Sequence, residues 1–185
     1  MTRTPVPLLA LALLATILTA APRPAWSAWP HDPTANVPLC TAAGTQSAST
    51  VVSDGAGGAI VTWQDQRSGN DDIYAQRISA AGTPQWTVNG VALCTATGNQ
   101  QYPQIVSDGA GGAIVTWSDS RGYYDIYAQR ISAAGTPQWT ADGVALCTAT
   151  SAQYRPEIVS DGAGGAIVTW YDYRTEPLSN IDARR

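Results

Sequence analysis

An all-β fold of repeated antiparallel sheets stacked face to face is what this 185-residue sequence predicts, and three observations predict it. The string VSDGAGGAIVTW recurs unchanged from Val52, Val106 and Val159. Self-similarity at a fixed period marks repeat architectures, whose units cannot bury their apolar surface alone. Each unit breaks into short β-rich stretches bounded by Gly, Asp, Asn or Ser. Within every copy, AIVTW is apolar on both faces instead of alternating, so a sheet must cover each side of it.

Aligned on that string, the units run Val37–Gly90, Val91–Gly143 and Val144–Arg185. In the second unit, strands are expected at Gln104–Ser107, Ala113–Ser118 and Asp125–Ser132, then in an outer stretch from Pro137 through Cys147 that passes into the next unit. SDGAGG between the first two strands is a hairpin turn: its Asp can bind nearby backbone N–H groups and its glycines can take positive φ. Four antiparallel strands per unit, stacked with a period near 50 residues, describe β-propeller blades, about three of them. Trp63, Trp117 and Trp170 are then wedges between blades, and Trp86 and Trp139 pack on the outer strand.

Propellers close with roughly four to eight blades, whereas the third unit here ends inside its third strand. An N-terminal outer-strand piece around Val37–Cys40 could complete a last blade, but a three-bladed ring would need each blade to turn by about 120°. The expectation is an open arc, an oligomer sharing a ring, or a truncated reading frame lacking C-terminal blades, with the last favoured.

Residues 1–27 read as a secretory signal peptide and 28–36 as a short N-terminal segment before the repeat domain, 37–185. Arg3 precedes an apolar run of about 14 residues from Leu8 to Ala21, and Ala25, Trp26, Ser27 offers a cleavage site. The run is shorter than the ~20 residues of a spanning helix, and no membrane association is expected after cleavage. The expected location is periplasmic or extracellular. Losing Arg3 and Arg23 leaves 8 Arg against 14 acidic residues, with no Lys anywhere. That balance lacks the basic stripe a nucleic-acid binder needs. Cys40, Cys94 and Cys147 occur one per unit. Stacked sheets lie ~10 Å apart and a disulfide needs Cα atoms within ~7 Å, so unpaired core thiols are expected.

Turns of an up-and-down blade alternate ends, which separates copied from varied segments. SDGAGG and ISAAGTPQW, at one end, are constant where present; the second turns after Trp63, Trp117 and Trp170 and the crossings at Gly98 and Ala152 differ. Both varied segments share the other end, where loops on a rigid scaffold carry binding. Tyr102, Tyr123, Tyr124, Tyr154, Tyr171 and Tyr173 fall there with Arg155. Aromatic planes beside charged groups suit a sugar ring or an extended peptide, so a glycan or protein ligand is the expected partner; drift in solvent-facing loops is the competing reading. The WxDxR step pairs Asp65 with Arg67, Asp119 with Arg121 and Asp172 with Arg174 on one side of an extended strand. Their presence in every copy favours structural ion pairs tying the second turn to the Asp of DIYAQR over carboxylate receptors.

These elements, WQDQR at Trp63, WSDSR at Trp117, WYDYR at Trp170 and DIYAQR at Asp72 and Asp125, resemble secreted bacterial β-propeller repeats near the sialidase-like propellers. The third unit has NIDARR from Asn180 in place of DIYAQR. Sialidase-like catalysis, as the resemblance implies it, needs an arginine cluster, a tyrosine with a nearby glutamate and an acid from different blades. Only Glu157 and Glu176 are glutamates, and the Asp-box pattern SxDxGxxW is not met. The single histidine, His31, precedes the repeats, so a Ser/His/Asp or Cys/His arrangement would have to be built from a mobile end. Asn70, Asp71 and Asp72 could offer oxygens to calcium, but no metal, cofactor or catalytic residue is expected. The sequence is read as a secreted binding or interaction module, with a truncated sialidase-like hydrolase as the alternative.

Overall fold

The computed structural model describes residues 29–30, 32–175 and 178–185; the expected signal peptide, His31 and Glu176 lie outside them. Three antiparallel sheets follow one another along the chain. The first contains β1 (Gln46–Ser53), β2 (Ala59–Asp65), β3 (Asp72–Ile78) and β4 (Val91–Cys94), in that spatial order. The second repeats it with β5 (Gln100–Ser107), β6 (Ala113–Asp119), β7 (Asp125–Ile131) and β8 (Val144–Cys147). The third has β9 (Gln153–Ser160), β10 (Ala166–Asp172) and β11 (Asn180–Arg184). The fold is all-β, with three propeller-type blades.

Each first hairpin closes on its aspartate: Asp54 accepts from Ala56 N and Gly58 N, both at 2.8 Å, and Asp108 repeats the pattern. Arg77 and Arg130, from the third strands, bind the outer carboxylate oxygens of Asp54 and Asp108 at 2.9 Å. The core lies between blades, not within them. Ile60, Ile73 and Leu93 of the first sheet pack with Ile105, Val115 and Trp117 of the second, and Ile126 of the second with Val168 and Trp170 of the third. β6 is buried along its whole length, as a strand covered on both faces must be. Burying one such side chain contributes roughly 1.5–3 kcal/mol, so a blade without a neighbour loses most of its support.

Two sequence expectations change in detail. Trp86 does more than cover its outer strand, since its indole N–H donates to Ala133 O of the next blade at 3.1 Å. Val37–Cys40 forms no strand; it lies against the first blade. The three cysteines are unpaired, and burial pushes the Cys94 thiol up to about 12.

Candidate functional site

The copied WxDxR step forms a frame around each tryptophan. Asp119 is fully buried and receives Arg121 Nε at 2.9 Å, Arg121 Nη2 at 2.7 Å and the Trp117 indole N–H at 2.9 Å. Asp65 has the same partners in Arg67 and Trp63, at 2.6–2.8 Å. Burial alone would raise these carboxyls, but the guanidinium and indole donors outweigh it and hold Asp65 down at about 2 and Asp119 below its ordinary value. The arginines do not reach the Asp that opens DIYAQR, which Ser68 and Asn70 bind in the first blade. Instead Arg67 and Arg121 donate to Asn89 O and Asp142 O and lie over the Tyr74 and Tyr127 rings at 3.8 and 3.9 Å. In the third blade Asp182 stands where those tyrosines would be and pairs with Arg174, which also binds Asp172. These arginines are occupied by their own frame.

The varied segments meet at the opposite end from the SDGAGG hairpins. Asn70 Nδ2 donates to Gly98 O, and Gln153 N donates to Tyr124 O, so each second turn is stitched to the following crossing. Tyr124 and Tyr154 lie with ring centroids 4.1 Å apart, and the Arg155 guanidinium sits 5.2 Å from the Tyr102 ring centroid. An open cleft of about 580 Å³ is lined by Ala152, Tyr154, Arg155, Tyr171, Tyr173 and Ser179. Burial and the adjoining Tyr124 hydroxyl push the Tyr154 phenol well above its usual range, so it stays a neutral donor and acceptor. Tyr123 stands apart: it is highly exposed and borders a different depression with Asp125 and Ser151.

A feature invisible in the sequence aims these side chains. β1, β5 and β9 each carry a bulge, and at its centre Ala48, Tyr102 and Arg155 take positive φ of 49, 55 and 51°. Non-glycine residues rarely adopt that conformation, and bulges redirect side chains near sites. The strain is fixed across the blade boundary, where Tyr102 N donates to Gln64 Oε1 and Arg155 N to Ser118 Oγ. The three bulge residues differ among copies, as do Gln64, Ser118 and Tyr171, so repeat-equivalent variation converges on this end. The cleft can stack a flat ring on tyrosine and hydrogen-bond its substituents through phenols and one guanidinium.

No protein-family model matches the chain, and no curated protein does. Among solved structures, the endo-arabinase from Bacteroides thetaiotaomicron VPI-5482 is similar at a TM-score of 0.49 and 15% identity, covering 82% of this chain and 60% of that one. The chain thus spans less than two thirds of that enzyme's length. The blade architecture stands on the strand pairing of the chain itself.

Proposed function

We propose that this chain is a secreted propeller-type module, akin to the bacterial repeats its WxDxR and DIYAQR elements resemble, which binds a carbohydrate at its tyrosine-rich end without turning it over. The supporting observation is the cleft of about 580 Å³ lined by Tyr154, whose ring lies tilted against that of Tyr124, together with Tyr171, Tyr173 and Arg155, a volume within the usual range of ligand sites. A sugar presents apolar C–H faces for the rings and hydroxyls for the phenols and guanidinium. An open cleft with several aromatic walls suits an extended chain of sugars better than a single buried one. The test is a glycan array probed with the wild-type chain, Tyr154→Ala and Tyr171→Ala. Retention of a polysaccharide by wild type, lost in both variants, supports the reading. Binding unchanged by both variants, or no binding to any glycan, refutes it, and release of reducing ends from a bound glycan refutes the non-enzymatic part.

A further inference from the structure

Both ends of the blade stack expose faces that the same residues bury elsewhere in the chain. On the trailing side of the first two blades, Ile60 and Ile73, then Ile114 and Ile126, are at most 4% exposed beneath the next blade. Their counterparts on the third blade, Ile167 and Ile181, are 40% and 64% exposed, with Val159 at 58% beside them. On the leading side, Ile105 is 9% exposed against the first blade, while Val51, its counterpart at the front of the stack, is 65% exposed. The bare leading and trailing faces therefore do not meet within one chain. What covers such faces is visible twice in the fold: another blade of this sequence.

The N-terminal segment carries the same message. Trp29 donates to Ala80 O at 2.9 Å, as Trp86 does to Ala133 O. Cys40 Sγ lies 3.7 Å from Asp65, as Cys94 Sγ lies from Asp119, and Thr41 N caps on Asn89 as Thr95 N does on Asp142. Trp29, Cys40 and Thr41 thus dock on the first blade as the outer arm of a preceding blade would. In the first two blades that arm, VALC, also pairs with the third strand of its own sheet. Val37–Cys40, VPLC, has no such partner, and the outer edge of β11 has none among the described residues.

We propose that two copies of the chain associate head to tail at both ends, the leading face and N-terminal arm of each covering the trailing face and β11 edge of the other, to close one six-bladed ring. Two copies of these three blades give six, within the roughly four to eight that close a propeller, and three copies would exceed it. The interface is heterologous at each seam, and it closes because the second seam joins the same two chains. Continuity with the internal seams also fixes its register. Gln100 N donates to Asp71 O and Gln153 N to Tyr124 O, so Gln46 N is set to donate to Ser179 O of the other copy.

The experiment is sedimentation velocity and native mass spectrometry on the full chain, with Val51→Asp and Ile181→Asp. Both residues are largely exposed in the single chain, so a charge there leaves each blade's own packing intact; circular dichroism verifies this. The expected result is a wild-type mass of two copies across the micromolar range, falling to one copy in either variant. A monomeric wild type, open-ended polymers that grow with concentration, or a dimer that survives both substitutions would overturn the proposal. The seam adjoins the cleft, because it sets Gln46 of the other copy on Ser179, so the mass alone decides this proposal and a failure of glycan binding would leave it standing.

Discussion

Replacing Asp119 by Asn tests whether the copied Asp–Arg step holds the fold together. The side chain is fully buried between the first two blades, where it receives two guanidinium bonds at 2.7–2.9 Å, the Trp117 indole and the Arg121 backbone N–H. Asn keeps the shape and one acceptor but removes the charge, leaving a three-quarters-buried guanidinium, 25% exposed, with no anion. Removing one partner of a buried pair costs about 3–5 kcal/mol, and the partial exposure of Arg121 places this case near the lower end, about 3 kcal/mol. Asp172→Asn is the internal control. Arg174 is 44% exposed and keeps Asp182 as a second anion, so a clearly smaller loss than from Asp119→Asn is expected. Urea unfolding followed by tryptophan fluorescence measures both. A loss from Asp119→Asn no larger than from Asp172→Asn would refute the assignment of the step to blade-to-blade stability.

Gly143 has φ of +86°, and a Cβ there would lie 2.7 Å from the Trp117 ring and 2.8 Å from Ala128 O, whereas Gly109 at φ +73° faces open space. Thermal melts of the two Gly→Ala variants should show a loss of several kcal/mol for Gly143 and about 1 kcal/mol for Gly109; equal losses would contradict the packing of the tryptophan wedge. Acid should weaken the fold. Despite burial, hydrogen bonds and guanidinium partners hold Asp54, Asp65, Asp108, Asp119 and Asp172 below 3.8, so the unfolded chain takes up more protons as pH falls, and stability present above about 4 is lost toward pH 2. Asp65, at about 2, contributes on the order of 2 kcal/mol to that loss. Burial raises Asp72 and Asp125, which offsets part of it. Urea midpoints that rise between pH 4 and 2 would contradict this balance.

Much of the fold was legible because copying amplified it. Three identical strings located every second strand, and the doubly apolar AIVTW announced that blades are covered on both sides. The outer strand was harder to assign, because Val91–Cys94 opens a unit in the sequence alignment yet closes the preceding sheet. The role of Trp29 stayed hidden because its spacing to Cys40 differs from that of Trp86 to Cys94, so only the shared hydrogen bond reveals the equivalence. At the candidate site, turn alternation alone grouped Tyr102, Tyr124, Tyr154, Tyr171 and Tyr173 with Arg155. It could not separate Tyr123, whose neighbour Tyr124 takes the inward position, nor find Ser179. The bulge that turns Tyr102 and Arg155 was equally out of reach, since positive φ at such residues is set by the Gln64 and Ser118 acceptors of the preceding blade.

The dependence of each blade on its neighbours is measured most directly on the middle one alone. Expressed as residues 100–147, it should show no cooperative thermal or urea transition, because its apolar faces would lie open to water on both sides. A sharp, two-state melt of that fragment would contradict the account.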